Sequence, residues 1–346
     1  MMKAFVPAGA QRPGAARTGI HGREAAPHVQ RCTRFARSAS PCRGEGPGSG
    51  QGRLDLRGHC RYRHVVPPDP GDPLAPLRRD PARAGIFSDF DGTLSPIVAE
   101  PALAEPLAGV PGLLHELARR YRIVAVVSGR PVAFLTARLP ASILLAGLYG
   151  LEVQHHGEYQ IDPEAEGWRA VVSAAGARLR AAAPSGMLVE PKGLSVTCHY
   201  RANPALEPQV TALARDVAAA TGLVVRVGRK SAELLPPVHA DKGTVIAKWA
   251  SPLGAACYLG DDLGDLAAFG ALDQLAARGI GTVRIAVRSD EAPAELLHAA
   301  DVTVGAPEDA AALLRTLLLA ARGQHIPPRR PSSLRYVHGS SSQAEG

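Results

Sequence analysis

Short apolar runs alternate along this chain with stretches whose apolar residues recur at helical spacing. Each run is as short as a typical buried strand, and each is followed by polar or glycine residues. Between two of the runs, Leu113, Leu114 and Leu117 form one apolar face, which predicts an amphipathic helix. Regular alternation of such elements indicates an α/β fold with a doubly wound parallel sheet. The principal runs are residues 85–88, 122–127, 143–147 and 256–259.

Between residues 151 and 239 the pattern changes to short strand pairs and two longer helical segments. The pattern predicts a hairpin around Gly157, helices near 164–183 and 206–221, and four further strands. We therefore expect a core formed by residues 84–150 and 240–323, with an α/β cap inserted at 151–239. Residues 324–346 are rich in Pro and Ser and are expected to form a flexible tail.

The first 83 residues differ in composition from the rest of the chain. They hold 15 Lys and Arg against 6 Asp and Glu, whereas the remaining residues hold 24 against 26. The net charge of +7 thus comes from a basic, Arg/Gly/Pro-rich leader that has no amphipathic period and is expected to be disordered. A transit-like segment, an overextended translation start and an RNA-associated or acidic-surface-binding tail are the alternatives. The nearly neutral body gives no reason to expect nucleic acid as a partner.

Neither a membrane protein nor a disulfide framework is expected. No apolar stretch approaches the ~20 residues of a membrane span, and no apolar signal region follows the N-terminus. The five cysteines are odd in number and lack Cys-x-x-Cys spacing, which argues against paired disulfides or zinc. We expect a soluble, cytoplasmic protein with reduced thiols.

Two carboxylates, Asp89 and Asp91, directly follow the first apolar run and precede Gly92. An Asp-x-Asp-Gly segment could be only a turn, because Asp and Gly are common turn formers. The same spacing also suits phosphoryl transfer through an aspartyl phosphate, a reaction that additionally needs a metal, phosphate-binding donors and a leaving-group acid.

Three later segments supply such groups. Ser128 and Gly129 follow the second apolar run, Lys242 opens a predicted helix, and Asp261 and Asp262 follow the run at 256–259. A hydroxyl, a flexible amide and an ammonium at a helix N-terminus all favour bound anions. Because ligands of open α/β sheets bind outside the carboxyl ends of the strands, these groups are expected to converge.

These four segments, in this order, resemble the haloacid dehalogenase (HAD) superfamily of phosphatases, from about Gly85 to the region of Arg322. Within it the chain is most similar to the trehalose-6-phosphate phosphatase family. The similar motifs are Asp91-Gly92-Thr93-Leu94-Ser95-Pro96-Ile97, Val127-Ser128-Gly129-Arg130, Glu190-Pro191-Lys192, His199-Tyr200-Arg201, Glu233-Leu234-Leu235-Pro236 and Gly260-Asp261-Asp262. The chain departs at Tyr149, where many members have His, and at Gly264-Asp265-Leu266, which lacks the family's Thr and Glu beside the third acid.

The resemblance implies a role for each core residue. Asp89 is the expected nucleophile, and Asp91 is the expected general acid and then base. Ser128 and Lys242 are expected to complete the catalytic set at the phosphoryl group. A Mg²⁺ ion is expected on Asp89, on the backbone carbonyl of Asp91 and on Asp261, because hard cations prefer oxygen ligands. The resemblance further implies that Asp262 and Asp265 orient Asp261 or a metal-bound water.

In the cap, the resemblance implies sugar binding by Glu190, Lys192 and Glu233, with Arg130 of the core as a further substrate-binding residue. The successive residues His199, Tyr200 and Arg201 alternate in direction along a strand and cannot all face the ligand. Of these, His199 and Arg201 are weaker candidates. The segment 229–231 follows a glycine, but its spacing and strand context do not fit a nucleotide-binding loop.

We therefore expect a Mg²⁺-dependent phosphatase that hydrolyses trehalose 6-phosphate, with a functional link to a trehalose-6-phosphate synthase implied by the family. A sucrose-phosphate or mannosylphosphoglycerate phosphatase of the same superfamily is the nearest alternative. A non-catalytic regulatory, carbohydrate-sensing or RNA-associated module is the alternative of a different class.

Overall fold

The computed structural model describes residues 71–98, 100–289 and 292–323. In this part of the chain the strands are β1 (Ala84–Ser88), β2 (Ile123–Val127), β3 (Leu144–Gly147), β4 (Glu152–His155), β5 (Glu158–Ile161), β6 (Leu188–Pro191), β7 (Val196–His199), β8 (Val224–Gly228), β9 (Ser231–Leu235), β10 (Ala255–Gly260), β11 (Gly281–Val287) and β12 (Val302–Val304). The α-helices are α1 (Ala75–Arg79), α2 (Val110–Ala118), α3 (Val132–Thr136), α4 (Pro163–Glu166), α5 (Arg169–Ala181), α6 (Glu207–Thr221), α7 (Lys242–Ala250), α8 (Leu266–Ala276), α9 (Ala294–Ala299) and α10 (Pro307–Arg322).

The strands of the core form one eight-stranded sheet in the order β12-β11-β10-β1-β2-β3-β4-β5. Strands β12 to β3 pair in parallel. The central strands β1, β2 and β10 are buried along their whole length, which explains why they are continuous apolar runs instead of alternating ones. Because β1 lies between β10 and β2, the residues that follow these strands meet at one edge of the sheet.

Helices cover both faces of this sheet. One apolar cluster joins the sheet to α2 and α10 through residues such as Leu114 and Leu314. A second cluster joins the opposite face to α7 and α8 through Ile246 and Leu272. The predicted α/β fold with a doubly wound, mostly parallel sheet is thereby confirmed.

The predicted start of the cap at residue 151 is wrong. The hairpin of β4 and β5 continues the large sheet, because β4 pairs antiparallel with β3 and β5 pairs with β4. The apolar pattern of a hairpin does not reveal whether it joins the core sheet or the cap sheet. The edge strand of either sheet offers the same free backbone N–H and C=O groups. The separate cap therefore begins after Ile161.

The cap has its own four-stranded antiparallel sheet, in the order β6-β7-β9-β8. Val196 and Cys198 of β7 pack with Ala232 and Leu234 of β9 beneath helices α5 and α6. The alternate residues of the same strands occupy the other face. This second face lines a cavity shared with the core.

The predicted leader boundary at residue 83 is also wrong. Leu74 and Leu77 are buried in the apolar cluster beneath α10 and α2. The Arg122 amide donates to the carbonyl of Pro81, and the Gly254 amide donates to that of Arg83. Residues 72–83 therefore belong to the core, whereas residues 1–70 of the leader and the tail 324–346 lie outside the described residues.

Candidate active site

Asp89 follows β1 at the edge of the sheet where β1, β2 and β10 end. Its Oδ1 accepts a hydrogen bond from the Phe90 amide at 2.7 Å, and its Oδ2 lies 2.9 Å from Nζ of Lys242. Only 5% of the residue is exposed. Burial, together with the neighbouring aspartates, raises the pKa of Asp89 well above its usual range although the Lys242 ammonium opposes this.

Lys242 is the first residue of α7, whose N-terminus is closed by a capping box between Asp241 and Thr244. Its ammonium also lies 2.6 Å from Oδ1 of Asp265 and is buried. Burial alone would lower the pKa of Lys242, but Asp265 and Asp89 raise it well above its usual range. The ammonium therefore stays charged beside the Asp89 carboxylate.

Asp265 uses both carboxylate oxygens within the protein. Oδ1 also accepts from the hydroxyl of Tyr258 at 2.7 Å. Oδ2 accepts from the amides of Asp261 and Asp262 at 2.8 and 2.9 Å. These contacts hold the backbone of Asp261 and Asp262 in place, which agrees with the predicted role of Asp265 in orienting Asp261. Its role in the reaction stays a prediction.

Asp261 packs closely against the loop that carries Asp89 and Asp91. A Cβ atom added to Gly92 would lie 2.0 Å from Oδ2 of Asp261, and Gly92 has φ +76°. Only glycine fits both the left-handed backbone and this close approach. Burial raises the pKa of Asp261 to about 7 despite the opposing effect of Arg229.

Asp91 is held by Arg130 through two parallel hydrogen bonds. Nε of Arg130 donates to Oδ2 and Nη2 donates to Oδ1, both at 2.8 Å. The third donor of the fork, Nη1, binds the carbonyl of Pro101 at 2.8 Å. The guanidinium of Arg130, a predicted substrate-binding group, also lies 3.9 Å from Oε1 of Glu190 in the cap. A bidentate pair of this kind fixes the position of the carboxylate.

Ser128 follows β2 and is buried at the cavity wall. Its Oγ accepts a hydrogen bond from the Arg130 amide at 3.1 Å. The structure thus brings Asp89, Asp91, Ser128, Lys242 and Asp261 to one cavity, as the sequence predicts.

The three predicted sugar-binding residues of the cap line the same cavity. Nζ of Lys192 lies 3.3 Å from Oε1 of Glu233 and 4.0 Å from Oε2 of Glu190. Ser195 donates to Oε1 of Glu233 at 2.6 Å. Burial raises the pKa of Glu233, but Lys192 and three hydrogen bonds lower it overall.

His199 and Arg201 also line the cavity. His199 Nε2 lies 2.8 Å from Oε2 of Glu190, so this histidine contacts a predicted sugar-binding acid directly. The cavity is bounded by both the core and the cap, and its volume is about 710 Å³. A cavity of this volume can hold a small organic ligand.

Tyr149 lines the cavity, although the sequence analysis noted it only as a departure from the family and assigned it no role. Its hydroxyl donates to Oε2 of Glu233 at 3.1 Å, and burial raises its pKa. Tyr149 has φ +61° and Leu148 has φ +48°, a backbone region that non-glycine residues rarely adopt. The tyrosine at the position of the family's His therefore places a hydroxyl against Glu233 of the cap. The difference from the family at position 149 was the feature of the sequence that could have pointed to this contact.

Arg229 is the second residue that sequence reasoning missed. It lies in the turn between β8 and β9, and Nη1 donates to Oδ2 of Asp261 at 2.8 Å. The segment was considered only as a nucleotide-binding loop. The sequence shows that this turn is basic. It does not show that Arg229 contacts Asp261, because that contact depends on how the cap meets the core.

The acidic groups fit a divalent cation. Oxygens of Asp89, Asp261 and Asp265 lie within 4.8 Å of one another. With Asp262 they make four carboxylates, while Lys242 and Arg229 are the cations paired with them. Oδ1 of Asp262 is buried without a hydrogen-bond partner among the described residues. The cluster thus carries two excess negative charges when ionised, and oxygen donors of this kind suit Mg²⁺.

A family model described as trehalose-phosphatase matches residues 87–301. The chain is 37% identical over 225 residues to a trehalose-phosphate phosphatase of Mycobacterium marinum, covering 60% of this chain and 55% of the relative. It is 38% identical over 201 residues to the corresponding protein of Mycolicibacterium paratuberculosis, covering 54% and 51%. The chain thus spans about half the length of the curated relatives it matches.

Two solved structures share the fold. A trehalose-6-phosphate phosphatase related protein superposes with a TM-score of 0.60 at 23% identity, covering 69% of this chain and 99% of the other. The C-terminal domain of the Candida albicans trehalose-6-phosphate phosphatase superposes with a TM-score of 0.57 at 23% identity, covering 72% and 95%. In the described part of this chain, none of the helices has both the length and the apolar character that a bilayer crossing requires.

Proposed function

The chain belongs to the trehalose-phosphatase family, and from this premise we propose that it hydrolyses trehalose 6-phosphate to trehalose and phosphate. One observation carries the proposal. The acids and Lys192 of the cap line the same cavity as Asp89 and Lys242 of the core. A phosphate held at the core thus has a polar, hydrogen-bonding surface for its sugar within reach.

Asp89 is the proposed nucleophile. One carboxylate oxygen attacks phosphorus, forms an aspartyl phosphate and breaks the bond from phosphorus to O6 of the sugar. Water then attacks the phosphorus of this intermediate, which restores the Asp89 carboxylate and releases phosphate. The bond from the Phe90 amide to Oδ1 fixes the carboxyl group while Oδ2 faces Lys242.

Asp91 is the proposed proton carrier. As an acid it gives its proton to the departing O6, and as a base it takes a proton from the attacking water. Its hydrogen bonds to Arg130 hold the carboxylate at the cavity wall.

Lys242 and Ser128 are proposed to bind the phosphoryl oxygens. The ammonium is already charged and buried, so its attraction for developing negative charge is weakly screened by water. Ser128 lies at the end of the neighbouring strand and offers a hydroxyl to the same cavity. Arg130, the remaining predicted substrate contact, is proposed to act through Asp91.

Mg²⁺ is the proposed metal, held by Asp89, Asp261 and the backbone carbonyl of Asp91. When bound, it would neutralise charge on the phosphoryl group and on the crowded carboxylates. Asp265 already accepts four hydrogen bonds or ion-pair contacts. We therefore assign Asp265 to orienting Asp261 and not to direct ligation. Asp262, whose Oδ1 has no hydrogen-bond partner among the described residues, is assigned to orienting Asp261 or a metal-bound water.

The domain roles follow from this division of chemistry. We propose that the core performs phosphoryl transfer and that the cap, beginning after Ile161, selects the sugar through Glu190, Lys192 and Glu233. A cytoplasmic location and a functional link to a trehalose-6-phosphate synthase, which would supply the substrate, are part of the same proposal.

The test is phosphate release by the purified full chain with Mg²⁺ over a panel of sugar phosphates. The panel contains trehalose 6-phosphate, sucrose 6-phosphate, glucose 6-phosphate, mannosylphosphoglycerate and an aryl phosphate. The highest kcat/KM is expected for trehalose 6-phosphate. A clear preference for another sugar phosphate would overturn the substrate assignment, and inactivity on every ester would overturn the phosphatase assignment.

A further inference from the structure

Thr197 occupies the middle of the cap sheet between two predicted sugar-binding acids. In the register of the sheet, Thr197 of β7 lies beside Glu190 of β6 on one side and beside Glu233 of β9 on the other. Side chains at paired positions of neighbouring strands project from the same face. The three residues therefore form one row, and all three line the cavity.

The two neighbours of Thr197 in its strand face the opposite way. Val196 and Cys198 are buried in the apolar cluster beneath α5 and α6. The alternation of a strand directs Thr197 away from those helices and toward the cavity.

The hydroxyl of Thr197 is buried and unpaired. The residue is 3% exposed, and Oγ1 has no hydrogen-bond partner among the described residues. Burying a hydroxyl without a partner is unfavourable, and valine would fill the same space without that cost. Nothing in the packing of the cap therefore calls for a threonine here.

The neighbouring acids do not supply the missing partner. Glu233 accepts from Ser195, Lys192 and Tyr149, and Glu190 contacts His199. A carboxylate only accepts and an ammonium only donates, whereas a threonine hydroxyl does both. A sugar hydroxyl has the same dual character, so it matches the group that Thr197 offers.

We propose that Thr197 is a further specificity-determining residue, whose hydroxyl exchanges a hydrogen bond with a sugar hydroxyl held between Glu190 and Glu233. The proposal rests on the proposed function of the cavity. It assigns a hydroxyl that can both donate and accept to a row whose other two members, Glu190 and Glu233, are acids.

The experiment compares Thr197→Val, which removes the hydroxyl at nearly constant shape, with Thr197→Ser, which retains it. Thr303→Val is the matched control, because Thr303 is an exposed strand residue of β12. Each full-length variant is measured for thermal midpoint, for trehalose binding by calorimetry, and for kcat/KM on trehalose 6-phosphate and on an aryl phosphate.

Thr197→Val is expected to weaken trehalose binding and to lower kcat/KM on trehalose 6-phosphate by about 3- to 10-fold, the loss of one neutral hydrogen bond. Its kcat/KM on the aryl phosphate should change less than twofold, and its thermal midpoint should be unchanged or higher. Thr197→Ser should recover most of the sugar-dependent loss.

Two outcomes would overturn the proposal. Unchanged trehalose binding and efficiency in Thr197→Val would show that the hydroxyl contacts no sugar. Equal losses on both esters with a lower thermal midpoint would show that Thr197 only packs. Failure of the proposed function is detected separately, as a preference of the wild-type protein for another sugar phosphate. In that case the Thr197 variants are compared on that ester and on its dephosphorylated sugar.

Discussion

Arg229, in the turn between β8 and β9, donates a hydrogen bond from Nη1 to Oδ2 of Asp261 at 2.8 Å. This contact joins the tip of the cap to the acidic cluster of the core. The Asp261 side chain is 1% exposed, while that of Arg229 is 19% exposed. A charge pair with one partner fully buried is costly to break from one side, because the other charge is left without compensation.

Replacing Arg229 by Met should loosen the tip of the cap. The aliphatic part of the side chain is largely kept, but the hydrogen bonds to Asp261 are lost. Amide hydrogen exchange in residues 224–235 should become faster than in the wild type, while exchange in β1 and β10 stays the same. Mass spectrometry of the exchanged protein measures this difference directly.

Lys230→Met is the matched control for that experiment, since it removes one positive charge from the same turn. Exchange in its hairpin should be accelerated less than in Arg229→Met, because the Asp261 side chain keeps its hydrogen bond from Arg229. Equal acceleration in both variants would show that the net charge of the turn, and not the Arg229–Asp261 pair, controls its opening.

Mg²⁺ should stabilise the folded chain, because the cluster around Asp261 carries two excess negative charges when ionised. At 100 times its dissociation constant, a ligand of the native state contributes about 2.7 kcal/mol. For a domain of this size, that is a rise of about 5 °C or more in thermal midpoint. Phosphate release should stop with EDTA and return with Mg²⁺.

The control for metal stabilisation is a salt solution of equal ionic strength without divalent ions, which screens charges but does not bind specifically. Asp261→Asn should show a much smaller rise in thermal midpoint with Mg²⁺ than the wild type. An equal rise in this variant, or full activity in EDTA, would contradict the assigned metal site.

Asp89→Asn should abolish turnover and leave the fold intact. The amide oxygen can still accept from the Phe90 amide, and Lys242 keeps its contact with Asp265. An amide cannot form the phosphorylated intermediate. A thermal melt of the variant checks that it is folded. Appreciable phosphate release by the folded variant would refute the role of Asp89.

Two truncations should separate the leader from the packed segment that follows it. A chain beginning at residue 84 loses the buried Leu74 and Leu77, so it should unfold at a clearly lower temperature than a chain beginning at residue 71. Within the full chain, Leu77→Ala should cost about 2 to 5 kcal/mol of unfolding free energy. Equal melting of the two truncations would show that the segment does not stabilise the core.

Much of the site could be read from the chain because its residues follow apolar runs. Asp89, Ser128 and Asp261 come directly after strands that pair in one parallel sheet, and the ends of such strands must lie together. Lys242 was recognisable from the helix start that it opens. These are consequences of local pattern combined with a rule of topology.

The remaining features depend on contacts between distant segments. Tyr149 reaches Glu233 through a left-handed backbone that its sequence does not encode, and Arg229 reaches Asp261 only because the cap turn meets the core. The five-residue helix α1 is too short to show an apolar period, yet it buries Leu77. In each case tertiary packing, and not local propensity, decides the structure.

Glu190→Ala, Lys192→Ala and Glu233→Ala should each damage hydrolysis of trehalose 6-phosphate far more than hydrolysis of a small aryl phosphate. Sugar contacts away from phosphorus position the bound ester, and losing one hydrogen bond to a charged group costs about 1.5 to 3 kcal/mol. That corresponds to a fall of roughly 10- to 150-fold in kcat/KM. Asp89→Asn, in contrast, should abolish both reactions. Because Glu233 also receives bonds from Ser195 and Tyr149, its alanine variant should be the most damaging of the three. Equal loss of both activities in the cap variants would mean that the cap supports the chemistry and does not select the sugar.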